Sequence, residues 1–136
     1  MSILTRFKDI MASNINVLLD KAEDPEKMID QYLQNLNKDL GKVKAETASV
    51  LAEEQRAKRK LEECQDEMNK MERYAAKAME AGNEGDARKF LEKKALLTTN
   101  LSELQTAYQL SSQNSQQMKQ MHHKLMREIE EWKRAR

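Results

Sequence analysis

Apolar residues step along the chain by alternating threes and fours from Ile29 to Ala78: Ile29, Leu33, Leu36, Leu40, Val43, Thr47, Val50, Glu54, Ala57, Leu61, Cys64, Met68, Met71, Ala75, Ala78. Only Thr47 and Glu54 break the apolar character of this series. A 3.5-residue period places all of these positions on one narrow stripe of a helix, and such a stripe requires a partner helix rather than a globular core. A second stripe of the same period runs through Ala87, Phe90, Lys94, Leu97, Leu101, Leu104, Tyr108, Ser111, Ser115, Met118, His122, Leu125, Ile129 and Trp132.

The punctuation between the stripes predicts how they meet. Asp24 is a good helix N-cap, Pro25 fits the first helical position and Glu26 complements the positive helix end, so a helix is predicted over 25–82. Its length would be about 87 Å at ~1.5 Å per residue. Gly82 stops it, a turn spans 83–86, and Asp86 caps a second helix over 87–136. So short a connection reverses the chain, giving an all-α antiparallel two-helix coiled-coil hairpin. With the turn centred near Glu84, partners across the hairpin have numbers adding to about 168. Glu54 then lies opposite Ser111 to Ser115 and Thr47 opposite His122, so the weak places of the two stripes coincide as a polar layer.

Residues 1–23 are predicted to form a separate amphipathic helix. On a helical wheel Ile3, Leu4, Phe7, Ile10, Met11, Ile15 and Leu18 share one face, Lys8 lies at its edge, and Thr5, Arg6, Asp9, Ser13, Asn16 and Asp20 fall opposite. This face is wider than a coiled-coil stripe and is cut off from the long helix by Asp24-Pro25. Three covers suit it: a lipid surface, a partner subunit, or the base of the hairpin. Arg6 and Lys8 favour anionic lipid while Asp9 and Asp20 oppose it, so apolar insertion would dominate binding.

Composition narrows the remaining choices. The 136 residues are 39% hydrophobic, 35% charged and 4% aromatic, with three Gly and one Pro, which is the composition of long helices. A net charge of +1 supplies no bulk field for nucleic acid, and no nucleic-acid partner is expected. The run Glu53 to Glu63 mixes four cations and four anions and reads as a solvated helix face. The single Cys64 sits on the stripe as a small hydrophobe in a reducing, cytoplasmic setting, and the methionines, Met126 among them, pad the seam. His122 and His123 point about 100° apart on a helix and cannot share a metal alone. No phosphate-cradling glycine loop, nucleophile elbow or CxxC pair is present, so no enzyme, cofactor or metal is expected. No stretch is apolar enough to span a bilayer, and the N-terminus lacks an uninterrupted secretory core.

The opening Met1-Ser2-Ile3-Leu4-Thr5-Arg6-Phe7-Lys8-Asp9-Ile10, the segment Leu18-Leu19-Asp20-Lys21-Ala22-Glu23-Asp24-Pro25, and Ala81-Gly82-Asn83 with Asp86-Ala87-Arg88 resemble the bacterial phage shock protein A family. That family includes the vesicle-inducing protein of plastids and is counted in the ESCRT-III superfamily. The resemblance implies a peripheral protein on the inner face of the cytoplasmic membrane, active in envelope stress. It also implies that the protein binds anionic lipids and forms homo-oligomers, and that in some bacteria the hairpin restrains a transcriptional activator ATPase; the alternative reading is a soluble coiled-coil regulator that acts by binding and inhibiting such an ATPase. Carried onto this chain, Ile3, Leu4, Phe7, Ile10 and Met11 would insert, and Arg6 and Lys8 would meet headgroups. Members usually continue past the hairpin through further helices, so a truncation after Arg136 is expected and full polymer assembly would be impaired by it.

Overall fold

The computed structural model describes residues 19–135. Among them are two long helices and no strand: α1 over Pro25–Glu80 and α2 over Glu84–Ala135, packed on each other as an antiparallel hairpin. α1 begins where its capping chemistry predicts. The Asp24 side chain accepts a hydrogen bond from Lys27 N at 3.2 Å, and the Asp24 carbonyl accepts from Met28 N. A first-turn donor that would otherwise be unpaired is thereby satisfied.

The reversal is built by a specific pair of backbone hydrogen bonds. Gly82 N donates to Met79 O at 3.0 Å and Asn83 N to Ala78 O at 2.8 Å, the Schellman pattern, with Gly82 at φ 74°. Asn83, rather than Asp86, then caps α2. Its Oδ1 accepts from Asp86 N at 3.2 Å, and its Nδ2 donates to Asp86 Oδ2 at 2.6 Å. The second helix consequently starts at Glu84 and not at Ala87, because one residue after the glycine suffices to turn the chain.

Every position of both predicted stripes is buried or half-buried. The contacts fall into two compact units, each crossed by both helices. In the unit comprising residues up to Val50 and from Asn114, one cluster joins Ile29, Leu33, Leu36 and Val43 to Met118, Met121, Leu125, Ile129 and Trp132. Full burial of a side chain such as Leu36 or Leu125 contributes about 1.5–3 kcal/mol. Tyr32 stacks on Trp132 with ring centroids 4.7 Å apart and planes 3° from parallel, which adds about 0.5–1.5 kcal/mol beyond the area covered.

In the unit from Leu51 to Gln113 burial is shallower. Cys64, Met71, Ala75 and Ala87 are buried, but Leu61, Met68, Leu97, Leu101 and Leu104 are only half-covered. Two helices alone cannot wrap a stripe on all sides. Three contacts fix the pairing here: Cys64 Sγ donates to Leu97 O at 3.4 Å, Lys94 Nζ lies 3.7 Å from Glu72 Oε1, and Tyr74 meets Phe90 at 5.4 Å. Together with Tyr32 and Trp132 they centre the hairpin on Gly82 instead of Glu84. Partners across the seam therefore lie about one helical turn earlier than the predicted register.

Gly82 adopts its left-handed conformation with nothing within 4 Å of where a Cβ would sit, so a side chain there meets a backbone penalty and no clash. Gly82→Ala should lower stability by about 1–2 kcal/mol, measured by urea unfolding, with the hairpin otherwise intact.

Candidate interaction sites

Two sets of residues were singled out by sequence. The first, Ile3, Leu4, Arg6, Phe7, Lys8, Ile10, Met11, Ile15 and Leu18, lies outside the described residues. The chain is described from Leu19, whose side chain packs against the core cluster at the hairpin base. Ala22 N donates to Leu19 O at 3.2 Å, and residues 21–24 lead into α1. Leu19 thus ties the chain just ahead of α1 to the core cluster.

The second set is the polar layer of Thr47, Glu54, Ser111, Ser115 and His122. Thr47, half-buried, donates its hydroxyl to Val43 O at 2.7 Å, a bond within its own helix. Ser115 is 1% exposed, while Glu54 and Ser111 are half-buried. The Tyr32–Trp132 register sets Thr47 level with Gln117 and Met118, not with His122 as predicted. His122 itself is half-buried, and its Nε2 is enclosed without a hydrogen-bond partner among the described residues. His123, its neighbour, is exposed.

Strict stripe positions miss what seals this unit along one edge. Tyr32 and Asp39 on α1, and Met121 and Glu128 on α2, each precede a stripe residue by one and are buried or half-buried. In antiparallel helices these flanking positions face each other, which is a signal the sequence does contain. Met126, expected to pad the seam, is instead 48% exposed, since it lies just past the stripe on the other side. Leu96 and Leu110 also point outward from α2, at 70% and 57% exposure.

Trp132 ties Glu128 into that edge by donating Nε1 to Glu128 Oε1 at 3.2 Å. Burial raises the Glu128 pKa above its ordinary value, the Trp132 hydrogen bond lowers it, and the nearby Glu131 charge raises it further. Chemistry beyond this is sparse. No group of three or more His, Cys, Asp or Glu side chains among the described residues could hold a metal, and the Cys64 thiol is free and buried. An open depression of about 280 Å³ on α2, lined by His123, Met126, Arg127, Glu130, Glu131 and Arg134, contains no nucleophile held by a base. No helix among the described residues is long and apolar enough to cross a membrane.

Two long antiparallel helices that bury heptad stripes against each other define the class of helical-hairpin coiled-coil proteins. Residues 2–136 match the PspA/IM30 family, and the chain belongs to it. It is 66% identical over 131 residues to the phage shock protein A homolog of Bacillus subtilis, covering 96% of this chain and 58% of that protein. It is 34% identical to the membrane-associated protein Vipp1 of Nostoc punctiforme over 85% of this chain and 44% of that one. The chloroplastic membrane-associated protein VIPP1 of Arabidopsis thaliana is 32% identical over 78% of this chain and 32% of its own length. The chain spans little more than half the length of the first of these relatives and less than half of the others.

Two outcomes follow for this edge of the hairpin. His122→Leu, which replaces an enclosed unpaired nitrogen with an apolar group of similar size, should raise stability by about 1–3 kcal/mol in chemical denaturation. Glu128 has a raised folded-state pKa, so its penalty is present above that pKa and vanishes as pH falls below the unfolded value. Glu128→Gln should therefore stabilise the protein near pH 7 and have no such effect near about pH 3, as read by melting temperature across pH.

Proposed function

We propose that this chain is the lipid-binding and self-associating hairpin of a non-enzymatic peripheral membrane protein of the envelope stress response. It works on the inner face of the cytoplasmic membrane, as part of an ESCRT-III-like homo-oligomer that stabilises or remodels the bilayer. The observation that carries this reading is the amphipathic face of residues 1–23, which the heptad seam does not need. Two of the relatives, from Nostoc and Arabidopsis, are named membrane-associated proteins, which supports a lipid surface as its cover.

The division of labour follows from the physical chemistry of the two parts. Bulky side chains at Ile3, Leu4, Phe7, Ile10, Met11, Ile15 and Leu18 supply insertion, while Arg6 and Lys8 contact anionic headgroups. The hairpin acts as a strut, because its apolar residues already face each other across the seam. With only modest net attraction between the segment and anionic lipid, binding depends on apolar depth and hence on defects in headgroup packing.

Burying one Phe side chain contributes about 1.5–3 kcal/mol, so Phe7→Glu should reduce co-sedimentation with anionic phospholipid vesicles by about tenfold or more. Its helix content by circular dichroism should stay unchanged, and deletion of residues 1–23 should have the same effect on binding. Equal sedimentation of the intact and deleted chains would overturn the lipid role of this segment, and unfolding by Phe7→Glu would make the segment part of the core.

A further inference from the structure

One edge of the hairpin base is covered more deeply than two helices account for. Asp39 and Met121, each one position before a stripe residue, are only 7% and 8% exposed, and Tyr32 and Glu128 at the same positions are half-buried. In the unit from Leu51 to Gln113 these positions hold Glu53, Lys60, Glu67 and Tyr74 on α1 and Lys93, Asn100 and Ala107 on α2, and every one is exposed, Tyr74 by 41%. Both sets occupy the same place on a heptad. Size does not explain the contrast, since Tyr74 is larger than Met121 and Ala107 smaller. The cover also ends abruptly, because Glu46 and Asn114, one heptad further from the base, are exposed again. Of the residues described ahead of α1, Leu19 packs against the cluster of this unit, and Leu19 and Asp20 have helical backbone.

We propose that, without lipid, residues 1–18 fold back antiparallel to α1 and cover this edge as a third helix, so that hairpin and membrane compete for one segment. The inference deepens the lipid role in the proposed function and rests on it. The length fits. A reversal over 21–24 pairs residues whose numbers add to about 45, which sets Leu19 level with Glu26 and Met1 level with Lys44. The segment then passes Tyr32 and Asp39 and stops short of Glu46, where exposure returns. The facing side fits as well, because Leu4, Lys8, Ala12 and Ile15 fall within about 60° of Leu19 at about 100° per residue. Lys8 stands within one turn of Asp39, on an edge that also carries Glu128, so its ammonium meets carboxylates of opposite sign. Leu4 and Ile15 cannot face the hairpin and the bilayer at once, and lipid therefore draws the segment away only by binding it more favourably than this edge does.

Acrylamide quenching of Trp132 fluorescence in the full chain tests this, because Trp132 is the only tryptophan and stacks on Tyr32 of the covered edge. Anionic phosphatidylglycerol vesicles should raise the quenching several-fold as the segment leaves, and Ile15→Glu or Lys8→Glu should raise it without vesicles. Ser13→Glu, about 120° from Leu19 around the same helix, should leave it unchanged. Quenching that responds neither to vesicles nor to Ile15→Glu would overturn the docking, and equal responses to Ile15→Glu and Ser13→Glu would overturn the side assigned to it. Vesicle co-sedimentation reports on lipid binding separately. Sedimentation of the unaltered chain with Trp132 still shielded would remove the docking and leave the membrane reading standing. Quenching raised by Ile15→Glu in a protein whose unaltered chain never sediments would keep the docking and remove the membrane reading.

Discussion

Everything in this molecule depends on the mutual burial of two heptad stripes. Neither helix can bury its apolar residues alone, and a two-helix arrangement has no third layer to complete the cover. The consequence is visible in the unequal burial of the two units. Where Leu36, Val43, Leu125 and Trp132 meet, with Tyr32 and Met121 closing one edge, side chains are fully enclosed. Where Ala75 and Ala87 bring the helices together near the turn, the neighbouring leucines stay half open to water. Coiled-coil pairing thus sets the fold, while the size and placement of flanking residues set how firmly each unit is sealed.

The seam also decides which residues are available for other work. Once both stripes face inward, the surface of α1 from Glu53 to Arg73 is left as a predominantly charged face, and that of α2 between Lys94 and Lys119 as an almost uncharged one. Such a division has no bearing on folding, since exposed charges contribute little to it. It does determine what each face can meet. Here the two outer faces differ in kind.

How far the sequence could be read follows from which structural features are periodic. Helix identity, the span of the stripes and the capping of α1 by Asp24 were legible because each rests on local chemistry repeated or placed in a recognisable way. The register was harder. Gly82, Asn83 and Gly85 all tolerate unusual backbone geometry, and only the hydrogen bonds to Met79 and Ala78 show that Gly82 alone takes the left-handed position. A shift of one turn in register carries Thr47 away from His122, whose imidazole Nε2 is enclosed without a partner among the described residues. Met126 and Met121 have the same chemistry and opposite fates because a step of a few positions moves a side chain from the covered edge to the open one. The amphipathic face of residues 1–23 is a reading of sequence alone, whereas the solvated charged face of α1 follows from the heptad spacing and is exposed as expected.

One feature of the sealed unit has a use beyond stability. Trp132 is the only tryptophan in the chain, and it is 1% exposed, stacked on Tyr32 within the same cluster that Leu19 joins. Its indole therefore stands in the cluster that Leu19 joins, held by one aromatic contact with Tyr32 and one hydrogen bond to the Glu128 carboxylate, whose pKa burial raises. Emission from a single indole in that setting reports on the packing of this cluster. The protein thus carries its own optical probe of whether the base of the hairpin stays packed.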